Sequence, residues 1–311
     1  MVGACRDRRQ HRPGRGAPGG GGHGPSAEAE AEAARGEGAA EGETSTTRVE
    51  VRGFEVVAAG RNMEHEDDAV DPYFFDSDHS IAAATGFARA WEGSLALVRR
   101  LDADGAFGAR FAGRRVVEVG SGTGLLGLCV AACGGHVLMT DLPSVVEGAL
   151  RPNLDRNTAA LGGGAGRADG GWAGARACGR LGGSAAAMAL DWGAPVAEQF
   201  AERGQDAEAC EVVLAAECTF LAELLAPLVA TVTGLLHGPR RPKCLLAHKD
   251  RAKDGSAVLV TREAIEAQFA ASGCEARRLF SEPCAEEPHR QIHLLEIAAT
   301  RAPAAAGTGG E

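Results

Sequence analysis

Between Val116 and Asp141 the chain reads VVEVGSGTGLLGLCVAACGGHVLMTD, and few folds accommodate such a stretch. Val116-Val117-Glu118-Val119 is a short β-branched run of the kind buried on both faces of a parallel sheet. It halts at Gly120-Ser121-Gly122-Thr123-Gly124, after which Leu125, Leu126, Leu128, Val130 and Ala131 predict a helix. His136 to Thr140 predicts a second strand, with Asp141 at its tip. Strand, glycine loop, helix, strand and acid, in that order, form the first half of a nucleotide-binding α/β unit. Glycines let the backbone approach a ligand closely, and a carboxylate at the second strand's tip can accept hydrogen bonds from two ribose hydroxyls.

The details of the loop discriminate among ligands. A dinucleotide fingerprint needs glycine at its sixth position, where this chain has Leu125, so the pattern is G-x-G-x-G. Glu118 precedes the first glycine by two residues, and an acid there repels phosphates and favours a cation. S-adenosylmethionine fits this chemistry, since it joins ribose hydroxyls and an adenine to a sulfonium and an ammonium and has no phosphate. A structural glycine turn and a nicotinamide site are the competing readings.

The length of 311 residues allows one or two domains, and 45% apolar residues is the composition of a soluble protein. A formal net charge of −10 argues against a nucleic-acid binder and suits a basic protein segment as partner. None of the nine cysteines forms a CxxC pair or joins histidines at zinc spacing, so no metal site is expected. Cys129, Cys133, Cys210, Cys218 and Cys244 lie in or beside apolar runs and read as buried thiols. No apolar run is long enough to span a bilayer and no secretory segment is present. The expectation is a cytoplasmic protein, with a nuclear pool as the variant, that acts as a monomer away from membranes.

Residues 1–47, Arg- and Gly-rich and then an Ala-Glu run, read as a disordered low-complexity leader. An organelle transit peptide is the sharper alternative, disfavoured by few serines and no amphipathic stripe. Residues 48–301 read as one folded domain and 302–311 as a disordered tail. Val49-Glu50-Val51 and Phe54 to Val57 predict two strands around a Gly53 turn, and Ile81 to Leu101 predicts an amphipathic helix through Phe87, Trp91, Leu95 and Val98. A helix is expected after Leu142-Pro143-Ser144, kinked at Pro152. Residues 159–184, rich in glycine, read as an inserted surface loop. Further strands are expected at Ala186 to Asp191, Glu211 to Ala216 and Lys243 to His248. Pro227 is expected in the first turn of a helix, Val258 to Ala271 is another helix, and Glu275 to Phe280 pairs with Gln291 to Ala298. The fold class is α/β, a Rossmann-like mixed sheet of seven strands with helices on both faces.

These stretches together resemble the seven-strand protein lysine methyltransferases of the methyltransferase-like family. Ala90-Trp91-Glu92, VVEVGSGTGLLGL, the following TDLP and LDWG carry the resemblance, with Ala216-Glu217-Cys218-Thr219-Phe220 as the counterpart of a substrate motif. The resemblance runs from about Asp71 to Ile297. It implies methyl transfer from S-adenosylmethionine to a lysine of a protein, in a basic or exposed segment. It places Gly120, Ser121, Gly122 and Gly124 against the methionyl part of the cofactor and Asp141, with Leu142, on the ribose. Trp192 would lie near the adenine, while Trp91, Glu118 and Ala216 complete the pocket. Core packing is the structural alternative for Trp91 and Trp192, a helix cap for Asp141, and reception of loop amides for Glu118.

At the reaction centre the family motif has aspartate first and tyrosine last, where this chain has Glu217 and Phe220. Glu217 is expected to hold and orient an ammonium before it loses its proton, and Phe220 to wall the lysine stem; Phe74 and Phe75 are further candidates for that wall, with core packing as their favoured reading. A cap at the strand-to-helix junction is the structural alternative for Glu217. Other acceptors, an arginine, a histidine or a small molecule, and a cofactor-binding module without catalysis stay open at this point. The donor is already activated, so catalysis reduces to placing a neutral amine about 3 Å from the methyl carbon, in line with the leaving sulfur.

Overall fold

The structure, a computed structural model, describes residues 44–61, 89–159, 171–251 and 256–300. A hairpin of β1 (Thr44–Val51) and β2 (Phe54–Arg61) comes first. Its turn is Arg52-Gly53, both at positive φ as a tight two-residue hairpin turn requires. The helix α1 (Glu92–Ala103) and a short α2 (Gly105–Ala109) lead into the sheet. β3 (Arg115–Val119), α3 (Leu125–Ala132) and β4 (His136–Asp141) realise the expected strand, loop, helix and strand.

After β4 the chain turns through Pro143–Val145 and a π-helical turn, Val146–Leu150, into α4 (Arg151–Ala159). Pro152 has no amide to continue the helical ladder, and the π turn lies immediately before it. β5 (Arg176–Cys178), β6 (Gly183–Ala189), α5 (Val196–Glu202), β7 (Val212–Ala216), α6 (Ala222–Leu236), β8 (Lys243–Lys249), α7 (Arg262–Ala271), β9 (Cys274–Pro283) and β10 (Gln291–Ala299) follow.

The sheet order is β5-β6-β4-β3-β7-β8-β10-β9, eight strands rather than seven, and the hairpin stands apart from it. β6, β4, β3, β7 and β8 run parallel, while β10, β9 and β5 are antiparallel to their neighbours. Successive residues of each central strand supply opposite layers. Val116, Leu214 and Leu245 pack with α1, α3 and the hairpin, whereas Val117, Val213 and Leu246 pack with α5, α6 and α7. Helices therefore cover both faces of the sheet, as the apolar strands require.

The eighth strand comes from the segment expected to be a surface loop. Trp172 is buried, and its indole Nε1 donates to the carbonyls of Val116 (3.1 Å) and His136 (2.8 Å) at the lower ends of β3 and β4. Gly183 is bare because a Cβ there would lie 1.9 Å from the Ala131 carbonyl, so β6 approaches α3 backbone to backbone. Several glycines of this segment serve close packing and tight turns, a reason the composition alone concealed. Two helices also differ from expectation. Pro227 sits inside α6 rather than in its first turn, and α7 starts at Arg262 because Thr261 caps it, its Oγ1 accepting from Ala264 N. The expected Ile81 to Leu101 helix is seen as α1, with Trp91 as its N-cap residue; residues 81–88 lie outside the described residues, as do Phe74 and Phe75. Among the described residues, no helix is long and apolar enough to cross a membrane, and no cluster of metal-ligating side chains occurs.

The hairpin is fastened to the domain by two asparagines one turn apart on α4. Asn157 accepts from Val57 N (2.8 Å) and donates to Val57 O (2.8 Å). Asn153 accepts from Ala59 N (3.0 Å) and donates to Ala59 O (2.9 Å) and to Thr123 O (2.8 Å) in the glycine loop. The two amides imitate a neighbouring strand. Replacing Asn153 with alanine strands three backbone groups, so Asn153→Ala should lose roughly 2–4 kcal/mol in denaturant unfolding. The amide of Ala59 should then exchange with solvent much faster than that of Val119 in β3.

Candidate functional site

The sheet order reverses at β3, whose neighbours β4 and β7 carry their following chains to opposite faces. A crevice opens above the carboxyl ends of such strands. Here it is a cleft of about 310 Å³, within the range of small-molecule sites.

The floor is the glycine loop, held by the tips of β3 and β4. Ser121 N donates to Thr140 O (3.0 Å), and Thr140 N donates to Ser121 Oγ (3.0 Å). The Thr140 hydroxyl donates to Glu118 O (2.7 Å). Gly120, Gly122 and Gly124 all have positive φ. At Gly120 a Cβ would lie 2.9 Å from the Cβ of Cys218 and 3.2 Å from the Trp192 ring, so only glycine fits between those walls.

Asp141 lines the cleft at the tip of β4. Its Oδ2 accepts from Gly122 N and its Oδ1 from Leu142 N, both at 2.8 Å. The capping role and the cleft position coexist, because each carboxylate oxygen retains a second lone pair. Burial pushes the carboxyl up to about 6, against the two backbone hydrogen bonds.

Trp192 and Leu142, which follow β6 and β4, line the cleft together with Trp91, Ala216, Glu217 and Phe220 from the start of α1 and the end of β7. The loop bearing Trp192 is fixed by Gln199 of α5, which donates to Asp191 O (2.7 Å) and accepts from Asp191 N (2.9 Å). The sequence reading assigned no site role to Gln199, Ser94, Leu224, Cys218 (read as a buried thiol) or Pro227 (read as a helix-start residue), of which all but Gln199 line the cleft. Cys218 and Pro227 are found only through the neighbouring motif residues and the unexpected depth of Pro227 in α6.

Two expected residues lie elsewhere. Gly124 is beneath the loop at the start of α3, facing Leu150 and Met139. Glu118 is also below the cleft, buried against Gly127 and Met139, and its Oε2 has no hydrogen-bond partner. Burial pushes its carboxyl up to about 8, and the charge of Asp141 adds to this, against the nearby Ser121 hydroxyl and Gly127 amide. Burial therefore favours the protonated form of Glu118 over the anion.

Glu217 follows β7 at φ 61°, an uncommon conformation for a residue with a side chain. Its Oε1 accepts from Gly93 N (3.0 Å) in the first turn of α1. Gly93 has no side chain to spare, since a Cβ there would lie 2.6 Å from that oxygen. Glu217 thus caps α1, across 124 residues of sequence, rather than the helix that follows it. Its Oε2 lies 2.5 Å from Arg251 Nη1, an ion pair whose angles are not those of a hydrogen bond. The same helix end is tied to β8 by Glu92, which pairs with the buried Lys249 at 2.7 Å.

The wall chemistry suits a ligand with an aromatic base, vicinal hydroxyls and a cationic end. Rings and aliphatic side chains flank the Asp141 side, a carboxylate with open lone pairs stands at the β4 tip, and bare glycine backbone forms the floor. Among the described residues, the basic groups at the cleft are already paired with carboxylates, Arg89 with Glu286 and Arg251 with Glu217, so a phosphate finds little spare counter-charge there.

Because Glu118 keeps its proton in the folded chain up to about pH 8 but ionises near 4.5 when unfolded, the folded state holds the extra proton across that window. Its contribution to stability therefore falls as pH rises from about 4.5 to about 8. Thermal unfolding should show Glu118→Gln close to the parent at pH 4.5 and progressively more stable than it above, by roughly 3–5 kcal/mol at pH 8.

Comparison with known proteins agrees with this architecture. A family model described as lysine methyltransferase matches residues 81–173 and 175–263, more than half of the chain. The protein-lysine N-methyltransferase EFM6 of Saccharomyces cerevisiae is 30% identical over 149 residues, 45% of this chain and 51% of that protein. EEF1A lysine methyltransferase 3 of Mus musculus is 29% identical over 175 residues, 56% of this chain and 61% of that protein. The calmodulin-lysine N-methyltransferase of Arabidopsis thaliana is 29% identical over 138 residues, 44% of this chain and 37% of that protein. The matches thus span between about a third and three fifths of these relatives' own lengths. With the family model covering the glycine loop, the β4 tip and the Glu217 segment, the chain belongs to the lysine methyltransferase family.

Proposed function

We propose that the protein transfers a methyl group from S-adenosylmethionine to a lysine side chain of a protein substrate. The observation that carries this reading is the join of two half-sites in one cleft: the glycine floor with Asp141, and the Glu217 to Phe220 segment beside Trp91. Bound S-adenosylmethionine supplies an activated methyl group on a positively charged sulfur. The glycine floor and Asp141 hold the nucleoside and methionyl parts, and Trp192 and Leu142 wall the base. Trp91 and Phe220 wall the entry of an alkyl stem and exclude water from the acceptor nitrogen.

The acceptor must arrive with a free electron pair. Methyl transfer to that amine would leave the C–S electron pair on the donor's sulfur, and the methylated amine would give its proton to water. Desolvation among these rings lowers the pKa of an amine and favours its neutral form. Glu217 fixes α1, and with it Trp91, through the Gly93 amide. The names of the yeast, mouse and plant relatives support a protein lysine as acceptor.

The 311-residue protein incubated with isotope-labelled S-adenosylmethionine and a cell lysate should label a protein band, mapped by mass spectrometry to lysine. Label on arginine, histidine or a small molecule instead, or no label with intact cofactor binding, would overturn the assignment. Asp141 adds a pH signature. Calorimetric affinity for S-adenosylhomocysteine should tighten as pH rises through about 6, where its carboxyl ionises. Asp141→Asn should weaken binding about 10- to 100-fold and abolish that pH dependence, as expected when charge-assisted hydrogen bonds to hydroxyls are lost.

A further inference from the structure

The slot beside Glu217 is already occupied by a cation of the chain itself. The Arg251 guanidinium lies 2.5 Å from Glu217 Oε2, 5.5 Å from the centre of the Trp91 ring and 5.9 Å from that of Phe220. A carboxylate and two aromatic faces around one point form a binding site for an organic cation. The three groups all line the cleft, and Arg251 itself comes from the end of β8. Its side chain is 15% exposed and that of Glu217 1%, so the pair is largely shielded from solvent. Glu217 Oε2 is buried and charge-paired, yet receives no hydrogen bond of proper geometry. A better-placed donor has room to gain there.

We infer that Arg251 is a resident competitor for the acceptor subsite, and that a substrate lysine enters by displacing its guanidinium from Glu217, Trp91 and Phe220. This deepens the reading above and rests on the acceptor being an alkylamine. The closed arrangement multiplies the intrinsic affinity for any amine by the fraction of molecules in which Arg251 has swung out, and so lowers it. A free small amine meets that penalty alone. A lysine presented by a docked protein meets it at high effective concentration and overcomes it. Arg251 thereby reserves the site for protein-borne lysines, and Glu217 alternates between two cationic partners.

The probe is n-butylammonium, which carries the end of a lysine side chain, titrated into protein saturated with S-adenosylhomocysteine and followed by ligand-observed NMR. Arg251→Met should bind it at least ten-fold more tightly than the unaltered protein, and Glu217→Gln/Arg251→Met should lose that gain. Equal or weaker binding by Arg251→Met overturns the inference. A measurement on the unaltered protein guards against a variant that folds poorly. Saturating butylammonium should shift the Arg251 Nε–H resonance as the guanidinium leaves the two rings; an unmoved resonance at saturation overturns the inference as well. Failure of the protein to bind S-adenosylhomocysteine at all would remove the proposed function instead. Normal binding of that ligand without the Arg251 effects would remove this inference alone.

Discussion

The tips of β3 and β4 are locked to each other, and the site depends on that lock. Ser121 and Thr140 exchange backbone and side-chain hydrogen bonds, Thr140 ties back to Glu118 O, and Asp141 gathers the amides of Gly122 and Leu142. Each bond is of modest net value, but together they fix a loop that has little side-chain bulk of its own. A glycine floor without such ties would sample many conformations, and the entropy of ordering it would be charged against every ligand. Here the cost falls on folding, where the buried strands beneath meet it.

The same logic governs the other wall. Trp91 is useful only if the start of α1 keeps its place over the β7 and β8 ends, and that start is held by two carboxylates from opposite directions. Glu217 reaches up from β7 to Gly93 N, while Glu92 reaches across to Lys249 of β8. Removing one partner of such a buried pair strands the other's charge, so these contacts are more costly to break than their net contribution to stability suggests. Glu217 consequently meets the Gly93 amide and the Arg251 guanidinium with different oxygens.

Much of this was legible in the sequence wherever a residue's neighbours in space are also its neighbours in the chain. The β3 strand, the glycine loop, α3 and the acid at the β4 tip form one local unit, and the reading of Val116 to Asp141 matches it element by element. Local reading failed where partners lie far apart. The contact of Glu217 with Gly93 has no sequence signal, since a glycine near a helix start reads as a neutral or weakening residue. The side chain of Glu118 turns under the loop because its place on β3 alternates away from the crevice, a fact of strand periodicity hidden by its nearness to Gly120. The glycines before β6 suggested a lack of packing, yet Gly183 is bare because another backbone sits where its side chain would be.

The asparagine pair on α4 has a consequence for how this molecule behaves among its own copies. A hairpin standing apart from the main sheet has an edge on each of its two strands, and an unpaired edge is a template for intermolecular strand addition. At Val57 and Ala59 both the donor and the acceptor of the β2 edge are already taken by side-chain amides. A foreign strand would have to evict two asparagines held in register by a helix, and Asn153 is anchored at its far end to the glycine loop. The helix therefore guards the β2 edge of the hairpin against strand addition.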